Sequence, residues 1–378
     1  MPPSAARPTH LYGLDLLRIV AAAMVLLNHF GAYGWRHPDG FATGADAAFP
    51  ALAFMVGTGA VGVEIFFVIS GFVIAMSATG TRPFRFAAGR VIRIVPALWI
   101  CATIALAARL LYGEPLGALL DAFVRSALLW PDGPYIDGVV WTLVVEAVFY
   151  GLVFFAMLSG PAVSFERLAL AIGGASAGFI AVFAAAKFGW LGGPELAALL
   201  ERFAFKLLLL RHGVFFAIGM LLFSMHRYGL RPWKLAACGA FAGFALAEIA
   251  ASAGGGGPAL VQGLLWLVGT GAVVASVRYR DAIEGWLRGR HALVRDLGRL
   301  SYPLYLNHYT LGMVLVPSLF AAGLGPWAAL LAALGAVVGS SWLVTRGPER
   351  VGQAWLRALL RPRAREATAG SPASLRPT

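Results

Sequence analysis

Long apolar segments recur along the whole chain of 378 residues, and they restrict the fold more than any other feature of the sequence. A helix of about 20 apolar residues crosses the roughly 30 Å hydrocarbon core of a bilayer. Hydrophobic residues make up 59% of the chain and charged residues only 13%, which is more apolar than soluble domains of this length. Because backbone polar groups in lipid must be satisfied internally, we predict an all-α, polytopic membrane helical bundle.

The apolar runs predict about ten transmembrane helices, with a possible short extra helix between residues 112 and 138. The predicted spans are 14–34, 52–77, 91–112, 139–159, 168–188, 203–223, 233–253, 258–277, 302–322 and 326–345. They form one membrane domain over residues 14–345. A short N-terminal segment, 1–13, precedes this domain, and a basic, largely disordered tail, 346–378, follows it.

The basic residues predict how the bundle is oriented. Most of the 30 lysines and arginines fall in alternate connecting segments if the N-terminus is cytoplasmic, which favours cytoplasmic N- and C-termini and an even number of spans. These residues form no single patch, so the net charge of +12 does not predict nucleic-acid binding. Cys101 and Cys238 both fall in apolar segments and indicate neither a disulfide framework nor a metal site.

The first span carries an imidazole at a depth where a polar group is costly. Arg18 and His29 are eleven positions apart, which places them on one helix face, with about 16 Å between them along the axis. A polar group inside a membrane usually faces a bundle interior or a wet cavity, so His29 is a candidate functional residue. For Arg18 the alternative is simple snorkelling to the lipid head groups.

Two carboxylates also fall inside apolar spans. Glu64 lies in GVEIFFVISGF, and Glu146 lies in WTLVVEAVFY together with Tyr150. An unpaired carboxylate there must find a cation or imidazole or become protonated. The alternative for Glu64 is a structural hydrogen bond between helices.

Two further groups lie at predicted cytoplasmic span ends. Arg90 and Arg93 are one turn apart and can clamp phosphate in bidentate fashion, although anchoring by the positive-inside rule would also explain them. Tyr302, Tyr305 and His308 enter the ninth span at three-residue spacing; an aromatic belt explains the tyrosines, but it explains His308 less well.

Together these residues indicate general acid–base chemistry inside the membrane beside a binding site for a phosphorylated cytoplasmic donor. The sequence contains no Walker loop and no metal-ligand spacing, so ATPase and zinc-enzyme functions lack support.

The motifs resemble those of acyltransferase family 3, the bacterial integral-membrane acyltransferases that modify surface polysaccharides and related acceptors. The matching segments are LDLLRIVAAAMVLLNH, GVEIFFVISGFVI, the Arg-x-x-Arg of Arg90 to Arg93, WTLVVEAVFY and LGRLSYPLYLNH. They occur in the family order and span the chain from Leu14 to His308. Glu64 stands where the family often has Asp, and the chain lacks the esterase-like domain fused to some members.

The resemblance implies transfer of an acyl group, commonly acetyl, from cytoplasmic acyl-CoA to a carbohydrate hydroxyl at the bacterial inner membrane. Exopolysaccharide, lipopolysaccharide and a lipid-linked oligosaccharide are all suitable acceptors. No permanently bound cofactor is expected, and the oligomeric state is left open. The predicted roles are catalysis for His29, Glu146 and Glu64, donor binding for Arg18, Arg90 and Arg93, and substrate contact for Tyr150, Tyr302, Tyr305 and His308.

Two questions stay open at this level. His29, oriented by Glu146 or Glu64, acts either as a general base or as a transient acyl carrier. The alternative functions are a proton-coupled transporter, with His29, Glu64 and Glu146 as a relay, and an inactive scaffold. No inverted repeat of the kind that transporters often show is evident in the sequence.

Overall fold

A computed structural model describes residues 10–33, 52, 54–55, 57–160, 164–254 and 256–360, and within these ranges it contains helices and no strands. The fold is a polytopic helical bundle, as the apolar runs predict. In chain order the α-helices are α1 (Tyr12–Asn28), α2 (Gly62–Ala78), α3 (Pro83–Leu111), α4 (Leu116–Ala127), α5 (Val140–Leu158), α6 (Phe165–Lys187), α7 (Pro194–Leu200), α8 (Phe203–Leu207), α9 (Gly213–Tyr228), α10 (Pro232–Ser252), α11 (Gly256–Arg278), α12 (Arg280–Leu287), α13 (His291–Ala321), α14 (Pro326–Arg346) and α15 (Pro348–Leu359).

Among the described residues, eight helical segments are long and apolar enough to cross a membrane. They are Tyr12–Gly31, Gly59–Ala78, Pro83–Leu111, Val140–Leu158, Phe165–Lys187, Pro232–Ser252, Pro258–Arg278 and Pro326–Leu359. The other two predicted spans correspond to α9, which is shorter, and to α13, which is long but carries many polar residues. The predicted orientation of the termini stays a prediction.

Local sequence sets several helix ends. Proline occupies the first turn of α3, α7, α10, α14 and α15, where its missing N–H and fixed φ are compatible with a helix start. Ser164 caps α6 by accepting a hydrogen bond from the backbone N–H of Arg167. Gly229 ends α9 with a φ of 92°, which favours glycine. The sequence predicts that Pro96 kinks the helix or breaks its hydrogen-bond ladder, and α3 continues through Pro96 without a break.

Two sequence predictions need correction. The predicted span 203–223 is divided: α8 ends at Leu207, Leu209 has a φ of 60°, and only α9 continues as a long helix. The segment between these helices presents Arg211 and His212 to the bundle interior, so the chain turns there instead of crossing. The predicted disordered tail 346–378 is wrong for its first part, because α15 folds against α3; residues 361–378 lie outside the described residues.

The core is built around a close contact between α2 and α9. A methyl group added to Gly71 would collide with the backbone of Phe216, and one added to Gly219 would collide with the backbone of Val68 and Phe72. Small residues allow helix backbones to approach this closely in membranes. Buried aromatic side chains then fill the adjoining space, with Phe149 stacked on Phe216 at 4.3 Å between ring centroids.

Helix α1 crosses α13 at a second close contact, and this crossing positions the candidate site. A Cβ atom on Gly298 would lie 2.5 Å from the Asp15 carboxyl carbon, and one on Gly312 would lie 2.5 Å from the Phe30 ring. Both glycines therefore allow the two helices to touch over most of their shared length. A single π-helical turn, His29–Tyr33, continues α1 and carries both His29 and the Phe30 ring that contacts Gly312.

We expect Gly71→Ala to destabilise the protein by about 1–3 kcal/mol, because the added methyl group forces two packed backbones apart. Gly239→Ala is the matched control, since Gly239 lies within α10 with nothing near its Cβ position. The measurement is thermal unfolding of the two detergent-solubilised variants. Equal unfolding temperatures for wild type and Gly71→Ala would contradict the close packing of α2 and α9.

Candidate functional site

Two cavities lie side by side inside the bundle and share Val63 and Tyr305 as lining residues. We call the first the arginine cavity; its volume is about 440 Å³ and it is lined by Arg18, Arg90 and Arg93. We call the second the histidine cavity; its volume is about 570 Å³ and it is lined by His29. The predicted site residues are therefore divided between two cavities that meet at Val63 and Tyr305, except for His308, which lines neither.

The arginine cavity collects more positive charge than the motifs alone indicate. Arg295 and Arg299 of α13 line it together with the three predicted donor-binding arginines. The sequence does not mark either as a site residue, because both fall among the basic residues of a predicted connecting segment. Guanidinium groups bind phosphate through paired hydrogen bonds, so this cavity suits a polyphosphorylated ligand.

Acidic side chains hold two of these arginines in place. Arg18 donates to Asp15 at 3.0 Å, and Asp15 also contacts His10 Nε2 at 2.5 Å. Arg93 lies 3.4 Å from Glu349 of α15, a carboxylate that sequence analysis assigned to the tail. A nearby carboxylate orients a guanidinium while leaving its remaining N–H groups available to a ligand.

Aromatic rings pack against the same arginines. Arg93 lies over the ring of Tyr302 at 5.4 Å, and Arg90 lies over the ring of Phe86 at 5.7 Å, both within cation–π range. Tyr302 also donates to the backbone carbonyl of Ile94 at 3.2 Å. The sequence grouped Tyr302 with His308, but Tyr302 lines the arginine cavity.

Glu146 lines the arginine cavity and not the histidine cavity. Its carboxylate accepts a hydrogen bond from Ser70 of α2, and the hydroxyl of Tyr150 contacts both side chains. The expectation that Glu146 or Glu64 orients His29 stays a prediction, but Glu146 and His29 line different cavities. The physical reason is helical spacing, since Glu146 and Tyr150 are one turn apart on the face of α5 that points to the arginines.

His29 is instead paired with His308. Nδ1 of His29 lies 2.8 Å from Nε2 of His308, and Nδ1 of His308 lies 2.7 Å from the backbone carbonyl of Tyr305. A carbonyl only accepts, so Nδ1 of His308 carries the proton, and Nε2 of a neutral His308 is an acceptor. His29 must then donate from Nδ1, which leaves the lone pair of its neutral ring on Nε2.

Tyr305 separates the two cavities at their junction. Its hydroxyl lies 3.1 Å from Oγ1 of Thr142, and Phe66 packs edge-on against its ring at 5.7 Å. The same residue supplies the carbonyl that fixes His308. Tyr305 thus combines a lining position in both cavities with a structural link to the imidazole pair.

Asp137 holds the segment that follows His308, and sequence analysis missed it. Its carboxylate accepts hydrogen bonds from the backbone N–H of Thr310 at 2.9 Å and of Val139 at 3.0 Å. Burial raises the pKa of the Asp137 carboxyl above its usual value, while these hydrogen bonds act in the opposite direction. No local motif marks this residue, because its link to Thr310 joins positions that are 173 residues apart.

Glu64 lines the histidine cavity and belongs to a buried polar cluster that sequence analysis did not foresee. Its partners there include His212 and Glu248, and ligand atoms of the three residues lie within 4.8 Å of one another. This is a possible donor set for a metal ion, whereas the sequence predicts no metal site. One Glu248 oxygen, however, is already bonded to Arg211 at 2.6 Å.

Comparison with known proteins supplies the family context for this geometry. Residues 11–346 match the family model described as an acyltransferase domain. The exopolysaccharide production protein ExoZ of Rhizobium meliloti (strain 1021) is 31% identical over 131 residues, which are 31% of this chain and 41% of that protein. The match thus spans less than half of the relative's length. No solved structure matches the chain.

The hydrogen-bond chain predicts one tautomer for His29. In protein labelled with ¹⁵N-histidine, at a pH where both rings are neutral, we expect a protonated Nδ1 and an unprotonated Nε2. The spectrum of His29→Ala assigns the signals by their loss. His308→Leu removes the acceptor and should abolish the preference for this tautomer. A protonated Nε2 in the wild-type protein would contradict the chain His29–His308–carbonyl.

Proposed function

Since the chain belongs to the acyltransferase family whose domain it matches over residues 11–346, we propose that this membrane enzyme transfers an acyl group from acyl-CoA to a carbohydrate hydroxyl. The observation that carries the proposal is the junction of an arginine-rich cavity with a histidine-bearing cavity at Tyr305. One compartment suits a phosphorylated donor, and the other presents a positioned imidazole.

The donor binds in the arginine cavity. The phosphate groups of coenzyme A pair with guanidinium groups, which are the side chains best suited to bidentate phosphate recognition. The apolar part of the cavity wall, which includes Phe67 and Ile74, accommodates the pantetheine arm. This arrangement directs the thioester away from the charged end of the cavity and toward Tyr305.

Transfer takes place where the cavities meet. His29 Nε2 removes the proton of the acceptor hydroxyl, and the resulting oxygen attacks the thioester carbonyl to form the new ester bond. The carbon–sulfur bond then breaks, and the departing thiolate of coenzyme A takes the proton from His29. His308 holds the imidazole so that Nε2 carries the lone pair throughout binding.

A polysaccharide or its lipid-linked precursor is the acceptor that the comparison favours, because the related ExoZ is named for exopolysaccharide production. The acyl group that we propose is acetyl. In the predicted orientation the arginine cavity lies on the cytoplasmic side, because Arg18, Arg90 and Arg93 all lie at predicted cytoplasmic span ends.

We expect Arg93→Ala to weaken acyl-CoA binding by roughly 10- to 150-fold, since a hydrogen bond to a charged group contributes about 1.5–3 kcal/mol. Arg85→Ala is the matched control: Arg85 lies on the same helix but is exposed and lines neither cavity. The measurement is titration of the detergent-solubilised protein with acetyl-CoA. Equal affinities for the two variants would show that Arg93 only anchors the helix.

We expect His29→Ala to lower acyl transfer by about 10²–10⁴-fold, the usual contribution of a general base, with acyl-CoA affinity unchanged. Consumption of labelled acetyl-CoA in the presence of polysaccharide measures the rate, and His226→Ala, at an exposed position, is the control. Label covalently attached to His29 without acceptor would establish an acyl carrier instead. Transport into liposomes without thioester loss would contradict the transferase function itself.

A further inference from the structure

A buried polar cluster in the histidine cavity has no part in the mechanism above. We call it the ion-pair cluster, and its members are Glu64, Lys206, Arg211, His212 and Glu248. Arg211, His212 and Glu248 are respectively 5%, 3% and 1% exposed. Burying charged and polar groups inside an apolar bundle costs free energy unless each atom finds a partner.

Several atoms of the cluster lack that partner. Arg211 donates to Glu248 and to Ser252, both at 2.6 Å, and these bonds use only part of its capacity. Among the residues that the structure describes, there is no hydrogen-bond partner for Oε2 of Glu64, Oε2 of Glu248, Nε of Arg211 or either ring nitrogen of His212. Native proteins leave few buried polar atoms unsatisfied, so a concentration of them around one cavity indicates a ligand site.

The unsatisfied atoms include both hydrogen-bond donors and hydrogen-bond acceptors. The two carboxylate oxygens only accept, the guanidinium nitrogen only donates, and a neutral imidazole does both. A hydroxyl group also donates and accepts, so a molecule with adjacent hydroxyls can satisfy acceptors and donors at once. The three groups Glu64, His212 and Glu248 are within 4.8 Å of one another, which is the scale of one sugar ring.

Charge and shape restrict the ligand further. Two carboxylates face two cations, so the cluster has no formal net charge and favours an uncharged ligand. Trp141 lines the same cavity, and Nζ of Lys206 lies 4.7 Å from the centre of its ring. An indole ring offers an apolar wall for the C–H face of a sugar, beside groups that bind its hydroxyls.

The cavity also opens to the surface. Glu201 and Ser252 line it and are exposed, whereas the lining residues His29 and Tyr305 are partly buried and buried, respectively. Glu201 is paired with Lys187 at 2.7 Å, which leaves the opening without excess charge. A chain-like ligand can therefore enter from the surface and extend inward as far as the imidazole.

We propose that the ion-pair cluster is the acceptor subsite, and that it binds an uncharged, polyhydroxylated sugar unit adjacent to the hydroxyl presented to His29. This assignment rests on the proposed function. A divalent cation is the less favourable occupant, because Arg211 already bonds to Glu248, and Arg211 and Lys206 would repel it.

His212→Phe is the most specific variant for testing the subsite. The ring nitrogens of His212 make no internal hydrogen bond, and its neighbours Phe67, Trp141 and Phe215 are aromatic, so phenylalanine should fit without loss of folding. His226→Phe is the matched control, since His226 lies on α9 and lines neither cavity.

The probes are the neutral trisaccharides of glucose and of galactose, with trigalacturonate as the charged comparison. Binding is measured by thermal shift of the full-length protein in detergent without donor, so it is independent of catalysis. We expect at least one neutral trisaccharide to bind wild type and His226→Phe equally, and His212→Phe about 5- to 10-fold more weakly. Acetyl-CoA affinity should be the same in all three proteins.

Three outcomes would overturn the assignment. They are no binding of any neutral trisaccharide, equal binding by His212→Phe and wild type, and binding of trigalacturonate alone. Stoichiometric metal in the purified protein, lost in His212→Phe, would replace the sugar subsite with a metal site. Sugar binding without any acyl transfer would support the subsite but contradict the proposed function. Failure of the subsite assignment can therefore be distinguished from failure of the proposed function.

Discussion

The hydrogen bond between His29 and His308 connects two segments that are 279 residues apart in sequence, and the rest of the site is arranged around it. The bond exists because α1 and α13 cross closely, which Gly298 and Gly312 permit. It also fixes the tautomer of His29, since His308 is committed to the carbonyl of Tyr305. A backbone carbonyl therefore determines, through two imidazoles, which ring nitrogen of a neutral His29 carries the lone pair.

Two electrostatic environments meet at Tyr305, whose carbonyl holds this pair. The arginine cavity holds an excess of positive charge, whereas the ion-pair cluster of the histidine cavity is formally balanced. In a low-dielectric bundle this difference favours different ligands in the two cavities. An anionic ligand is stabilised among the arginines, whereas an uncharged ligand is tolerated beside the carboxylates. Tyr305, which lines both cavities, marks the boundary that the acyl group passes in the proposed mechanism.

Hydropathy predicted the helices well, because lipid leaves the backbone of a long apolar run few alternatives. It failed for residues 203–223, where the chain turns so that Arg211 and His212 reach the cavity. It also assigned Glu349 to a disordered tail, although this residue contacts Arg93. In each case a contact with a distant helix outweighed the local pattern.

The sequence by itself determined the membrane class, most of the spans, the family motifs and the chemical types of residue in the site. Helical spacing was enough to place Arg90 with Arg93 on one face. Only the tertiary structure decided that Glu146 lies with the arginines, that His308 partners His29, and that His212 joins Glu64 and Glu248. These pairings depend on which helices pack together, and the hydrophobic pattern of a single helix in lipid carries little information about its neighbours.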